Sequence, residues 1–274
     1  MNETELLFTE ILNCNRQDLY LNKEAFLDKA KASLISKALR RRLQGEPLQY
    51  ILGKTEFMGL EFKVTPDVFI PRPETEILVE AVIDYAYRLS PMAHCVLELG
   101  TGSGCIAISL AKYLSGFNIT ATDISRAALN IAKENAETNN VIDKITFLKS
   151  NLFESLAIPA CPAGGCDMRY AICVCNPPYI PTQEIEKLQP EIRYEPAIAL
   201  DGGKDGLDFY RRIIKEAPCF LREGGFLVME MGFNQCMSIK EIFRLSGKFE
   251  IIDVIKDYND VDRVIVAKNI NSKS

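Results

Sequence analysis

From Pro71 to the C-terminus the sequence alternates short apolar runs with stretches of helical periodicity, and this alternation restricts the possible folds more than any other feature. Runs at Cys95–Leu99, Asn118–Asp123, Ile145–Lys149, Tyr170–Cys175, Phe226–Met231, Phe249–Ile255 and Arg263–Ala267 have strand length, and most are separated by helical patterns. A helical crossover returns the chain to the same end of a sheet, so strands joined this way run parallel. The expected class is α/β, a doubly wound Rossmann-like sheet of these runs. Only the short polar turn Lys256 to Asp262 joins the last two, which should therefore pair antiparallel.

Upstream the period differs. In Glu24 to Leu43 the apolar residues Phe26, Leu27, Ala30, Leu34, Ile35, Ala38 and Leu39 recur at three- and four-residue spacing, one face of an amphipathic helix that Gly45-Glu46-Pro47 ends. Leu60, Phe62 and Val64 then alternate with Glu61 and Lys63, so Thr55 to Val64 reads as a hairpin turning at Met58-Gly59, with a second short strand around Val68 to Ile70. Pro73 and Thr75 can open a helix with Leu78, Ala81, Val82, Tyr85 and Leu89 on its core side. We therefore expect an N-terminal helical unit with a hairpin linker over residues 1–72 and the α/β domain over 73–274.

The chain has 274 residues, 47% hydrophobic and 25% charged, enough for a sizeable core. Its 32 basic and 37 acidic residues give a net charge of -5, which disfavours non-specific attraction to nucleic acid or an anionic membrane. The acidic start MNETELLFTE lacks the pattern of a secretory signal, and there is no apolar run of about 18 residues, so a cytoplasmic location is expected. Nine cysteines in such a chain read as reduced thiols. Cys161, Cys166, Cys173 and Cys175 lack the paired spacing of zinc knuckles, so no metal site is expected. The lone histidine, His94, rules out a His-containing nucleophilic triad in practice, because it precedes the first sheet strand.

After the run at Cys95–Leu99 come Gly100, Gly102 and Gly104, then an apolar helix. Glycine at every second position lets the backbone approach a ligand closely. A dinucleotide fingerprint would need its third glycine at position 105, where this chain has Cys105, so pyrophosphate binding is disfavoured. Asp123 ends the next strand, where a carboxylate can accept from a ribose diol; a helix cap for the segment from Ser125 is the plainer alternative. With E-x-G-x-G-x-G over Glu98 to Gly104, an acid closing the second strand and Asn-Pro-Pro-Tyr closing the fourth, the chain resembles class I methyltransferases that use S-adenosylmethionine. The resemblance implies a cofactor site made by Glu98, Gly100, Thr101, Gly102, Ser103, Gly104, Asp123, Asn151, Leu152 and Asn176.

The stretch Asn176-Pro177-Pro178-Tyr179 follows Tyr170–Cys175 directly, and two prolines cannot continue a strand. An amide or exocyclic amine nitrogen is a poor nucleophile because its lone pair is delocalised. The Asn176 side-chain oxygen and the Pro177 backbone oxygen can each accept one hydrogen of an NH2 group, Pro178 stiffens the loop, and Tyr179 can pack on the planar group. Such a loop would hold the nitrogen in line with a sulfonium methyl. A plain Pro-Pro turn is the structural alternative.

The loop alone does not distinguish a nucleic-acid base from a glutamine side chain. Pro47 to Phe62, Ile70 to Glu80, Asn176 to Pro181 and Glu195 to Arg211 together resemble the PrmC/HemK enzymes, which methylate glutamine N5 in peptide chain release factors. This resemblance implies a release factor as partner, with its Gly-Gly-Gln loop as target, and a recognition role for the N-terminal helices. An amino methyltransferase of DNA or RNA, an enzyme acting on a ribosomal protein, and a non-catalytic adaptor are the alternatives. Two departures stand out: Asn151 replaces the family's usual acid, and the insert Ala157 to Asp167 has no clear counterpart. Lys37, Arg40, Arg41 and Arg42 could dock a partner or only end a helix, and Gly202 to Gly206 could be a lid or a simple loop.

Overall fold

The computed structural model describes residues 2–21, 28–89, 95–157 and 169–270. Phe26, Leu27, His94, Cys161, Cys166 and most of the insert lie outside them.

Among the described residues, four helices open the chain: α1 (Glu3–Leu12), α2 (Arg16–Leu21), α3 (Lys29–Leu43) and α4 (Leu48–Leu52). Asn2 and Glu5 form a reciprocal capping box on α1, and Asp28 caps α3 by accepting from the Lys31 amide. Leu7, Leu12, Ile35, Ala38 and Leu48 make a small core of their own. The buried face of α3 is narrower than its periodicity predicts. Ile35 and Ala38 are buried, while Leu34 and Leu39 are 55% and 39% exposed, because α1 and α4 cover only one edge of the helix. Arg41 pairs with Glu46, and Arg42 reaches both Glu3 and Glu191. These two cations are thus committed within the chain, whereas Lys37 and Arg40 face solvent.

The hairpin is as expected, β1 (Lys54–Phe57) and β2 (Leu60–Lys63), with Met58 and Gly59 both at positive φ in the turn. The second strand expected around Val68 to Ile70 does not form. Val68 donates to Thr65 O, its carbonyl accepts from the Tyr50 hydroxyl at 2.6 Å, and the Ile70 amide donates to Glu195 Oε2 at 3.0 Å. The alternation there reflects two side chains buried beside Tyr50, with the backbone bonded to a local turn and to side chains rather than to a neighbouring strand.

After α5 (Glu74–Arg88), the α/β unit runs β3 (Cys95–Leu99), α6 (Cys105–Tyr113), β4 (Asn118–Asp123), α7 (Arg126–Thr138), β5 (Ile145–Lys149), β6 (Tyr170–Cys175), α8 (Asp208–Glu216), β7 (Leu221–Glu230), α9 (Cys236–Ser246), β8 (Phe249–Lys256) and β9 (Asp262–Asn269). The sheet order is β5-β4-β3-β6-β7-β9-β8; β9 alone is antiparallel to its neighbours. β7 starts earlier than its apolar run, at Leu221. Buried residues of α5, α6 and α7 pack on one face of the sheet and those of α8 and α9 on the other. Cys173 and Cys175 share the second core, and both thiols are pushed up by burial, which keeps them protonated, inert fillers. No helix among the described residues is long and apolar enough to cross a membrane.

Candidate active site

The chain leaves β3 toward β4 and β5 on one side, then returns to β6 on the other, so the strand order reverses between β3 and β6. Open α/β sheets bind ligands outside the carboxyl ends of the strands at such a point. Leu99 lies in register with Thr122 on one side and Cys175 on the other. Gly100, Asp123 and Asn176 therefore leave the sheet side by side, and a cavity of about 280 Å3 opens above them.

The glycine loop forms the cavity's floor. Gly100 and Gly102 have φ of +71° and +55°, and a Cβ at either would meet nothing within 4 Å, so bare backbone borders open space there. Thr101 and Ser103 line the cavity with them. Gly104 has a different reason to be glycine: it packs below the cavity, where a Cβ would lie 2.9 Å from Ile108 Cδ1 and 3.1 Å from Ala132 Cβ. Glu98 also lies beneath the loop rather than at the cavity wall. Its Oε2 accepts from the Thr101 hydroxyl at 2.6 Å and the Ala107 amide at 3.1 Å, and burial raises its pKa to about 8. The two expected site residues Glu98 and Gly104 thus shape the loop from below.

Asp123 reaches the cavity and braces the loop at once. Oδ2 accepts from the Gly102 amide at 2.9 Å and Oδ1 from the Ser125 amide at 2.8 Å, while burial raises its pKa. The cap of α7 is Ser125, which accepts from the Ala128 amide. Each carboxylate oxygen keeps a further lone pair, so a diol can still bond to Asp123. Asn151 and Leu152 border the same cavity. The Asn151 amide donates to Glu154 Oε1 at 2.7 Å, and its oxygen is 3.4 Å from Arg212 Nη1. Leu152 is buried at φ +53°, a conformation bulky residues avoid and one often kept at ligand sites.

On the other side stand Asn176, Pro177, Pro178 and Tyr179, all at the cavity. Asn176 Nδ2 donates to Thr75 Oγ1 at 3.2 Å, and among the described residues no donor reaches its Oδ1. Thr75 and Pro73 open α5 as expected, Pro73 at the cap and Thr75 in the first turn, and the Thr75 hydroxyl also faces the site. Behind the loop, Gly202 to Gly206 forms a buttress rather than a lid. Ile180 N donates to Leu200 O, Gly202 N to Ile180 O and Thr182 N to Gly203 O, at 3.0, 2.8 and 2.9 Å. The two segments pack so closely that a Cβ on Gly206 would sit 2.3 Å from Tyr179 O. Gln235 Nε2 also donates to Tyr179 O, at 2.9 Å. The Tyr179 ring rests against Gly232, and burial raises its phenol to about 12, so it stays protonated.

Sequence reasoning missed Thr75 and Gln235 as parts of this site, and Glu230, which the register of β6 with β7 sets beside Asn176. It also did not foresee that the Ile70 to Glu80 and Glu195 to Arg211 segments meet through an ion pair between Arg72 and the buried Glu195. No local signal marks such contacts, although both segments carried the family resemblance.

A doubly wound sheet with a reversed last strand, a glycine cradle after β3 and an amide-bearing proline loop after β6 define a class I methyltransferase. Residues 1–53 match the PrmC N-terminal domain and residues 73–192 the methyltransferase small domain. The release factor glutamine methyltransferase of Geobacter sulfurreducens is 42% identical, covering 96% of this chain and 87% of that one. The enzyme of the same name from Moorella thermoacetica is 41% identical over 97% and 90%. This chain belongs to the release factor glutamine methyltransferase family. The hMettl16 catalytic domain, crystallised with a MAT2A 3′UTR hairpin, shares the fold at 20% identity, with a TM-score of 0.59 over 89% of this chain and 83% of that one.

Proposed function

We propose that this protein transfers a methyl group from S-adenosylmethionine to the side-chain nitrogen, N5, of the glutamine in the Gly-Gly-Gln motif of peptide chain release factors. The observation that carries the reading is the Asn176 amide, whose nitrogen is bound to Thr75 while its oxygen meets no donor among the described residues. A free acceptor oxygen beside a rigid proline loop suits an NH2 group to be held and alkylated.

The residues fit the cofactor. Bare backbone at Gly100 and Gly102 leaves the space that a side chain would fill, Asp123 offers a carboxylate to a ribose diol, and Leu152 and Ile124 supply apolar contact for a base. When bound, S-adenosylmethionine supplies an electrophilic sulfonium methyl. Asn176 Oδ1 and Pro177 O each accept one hydrogen of the glutamine NH2 and so orient its nitrogen. Tyr179 packs on the planar amide, and the backbone pairing with Gly202 and Gly203 keeps the acceptors aimed. The glutamine nitrogen would gain the methyl as the methyl's bond to sulfur breaks, the electron pair staying on the departing thioether, and one N–H proton would pass to solvent. Positioning thus takes the place of a strong base.

The N-terminal helices, with the hairpin through residue 72, serve as the recognition domain, and the cytoplasm is where the partner is met. The acidic net charge of -5 speaks against direct nucleic-acid binding. The test is incubation with labelled cofactor and a purified release factor, with the modified residue mapped by mass spectrometry. Methyl on the Gly-Gly-Gln glutamine is expected. An unmodified glutamine with bound cofactor, or label appearing in nucleic acid, would overturn the proposal.

A further inference from the structure

The reacting loop depends on which way one amide faces. The two ends of a carboxamide are nearly equal in size, but one donates and the other accepts. Flipped by a half-turn, Asn176 would present N–H bonds to the substrate's own N–H bonds. Something in the protein has to choose the sense.

Two residues outside the loop are placed to do so. Thr75, 2% exposed on the first turn of α5, accepts from Asn176 Nδ2 at 3.2 Å. Glu230, 2% exposed at the end of β7, follows Met229, which lies in register with Cys175, so the strand pairing sets its carboxyl beside Asn176 and the first turn of α5, and its Oε2 has no hydrogen-bond partner. Its backbone is fixed by register with Val264 and by the Tyr210 hydroxyl, which donates to Glu230 O at 2.9 Å. Because Thr75 Oγ1 already accepts from Asn176, its single proton is free to point to Glu230, an acceptor. The donors then run in one direction, from Asn176 through Thr75 to Glu230.

Resting on the glutamine reading above, we infer that Thr75 and Glu230 are positioning residues that fix the sense of the Asn176 amide, turning Nδ2 to α5 and Oδ1 to the substrate nitrogen. A buried carboxylate explains the choice of residue: in its ionised form it can only accept, and an acceptor at the end of the line enforces the direction. Arg263 and Glu74 also face Glu230 and bias its charge in opposite senses, but Arg263 is engaged with Asp257 at 3.0 Å and with Met231 O at 3.2 Å.

The test uses the full-length protein with a release factor substrate. Thr75→Val keeps the shape and removes the hydroxyl; it should lower kcat roughly 10- to 100-fold while the KM for the release factor and the Kd for cofactor stay within about 2-fold. Thr75→Ser should restore most of the rate, and Glu230→Gln should show the same split as Thr75→Val. In the Asn176→Ala background, Thr75→Val should add little further loss, since the group it orients is gone. Wild-type turnover in Thr75→Val, or a loss that multiplies fully with that of Asn176→Ala, would overturn the inference. If the wild type modifies no release factor, the substrate reading fails, and the orientation is read by itself from hydrogen exchange of the Asn176 side-chain amide. Faster exchange in Thr75→Val supports the inference; an unchanged rate sinks it.

Discussion

Glu98 and Glu230 hold corresponding places at the carboxyl edge of the sheet. Each lies at or next to the end of a parallel strand, each is followed two residues later by a glycine, Gly100 or Gly232, and each is almost wholly buried with one oxygen lacking a partner. Burial raises the pKa of both, to about 8 and about 7. They differ in what they hold. Glu98 bonds to Thr101 and Ala107 and so shapes the glycine cradle from within its own strand-loop-helix unit. Glu230 lies beside Asn176 and Thr75, which come from two distant parts of the chain and bond to each other, and so belongs to the opposite wall. One buried acid serves the cofactor side and the other the substrate side, which implies that the two sides can be damaged separately.

The largest separation is expected at the substrate wall. Asn176→Ala removes an acceptor aimed at the nitrogen and leaves the glycine cradle untouched. Turnover should fall about 100- to 1000-fold, the range found when one preorganised hydrogen-bonding group is removed from an active site. Cofactor binding, followed by calorimetry, should change little. A variant that lost cofactor affinity and rate in equal measure would show that the two walls are one unit.

The cradle invites the converse pair of changes. Gly104→Ala forces a side chain into Ile108 and Ala132 at φ +85°, so overpacking adds to the left-handed penalty and should cost about 2–5 kcal/mol of stability. Gly102→Ala meets open space at φ +55°, so its stability cost should be only about 1–2 kcal/mol, the left-handed penalty. Its methyl group would instead enter the cavity and weaken cofactor binding. Melting temperature and cofactor Kd, measured on both, distinguish packing from ligand contact. Equal Kd values for the two variants would remove the case for a cradle at Gly102.

The contrast also explains what could be read from the sequence. Glu98 to Gly104 was legible because every contact that defines the cradle lies within one strand, loop and helix, and the glycine spacing records it. Strands β3 to β6 matched residue for residue because their apolar runs are closed by glycine, polar turns or proline. Asn176 to Tyr179 was legible as a stiff loop with two acceptors, since two prolines fix the backbone whatever surrounds it. Thr75 and Glu230 left no such trace: a threonine in a first helical turn reads as a helix-starting residue, and one acid ending an apolar strand reads as surface. The exposure of Leu34 and Leu39 on α3 was hidden for a related reason. Periodicity marks a face that could be buried, but the neighbouring helices decide how much of it is.

The smallest expected effect sharpens the comparison most, because it assigns a different pH interval to each acid. An ordinary glutamate titrates near 4.5, and Glu98 in the fold near 8, chiefly through burial. Between these values the folded protein keeps a proton that the unfolded chain releases. Stability from this source is therefore complete below about pH 4.5 and is lost as pH rises toward 8, by at most about 1.4 kcal/mol per pH unit. Glu230 acts with the same sign, but its titration in the fold is centred near 7. Above pH 7 the remaining slope belongs mainly to Glu98. Glu98→Gln keeps an acceptor for Thr101 and Ala107 and abolishes the titration, so its melting temperature should be flatter than the wild type's between pH 7 and 8. Glu230→Gln should flatten the curve mainly below pH 7 and leave the upper slope in place. Calorimetric scans at unit pH steps decide the matter: identical slopes in wild type and Glu98→Gln would mean that the acid beneath the cradle is ionised throughout, and the likeness between the two carboxyls would fail.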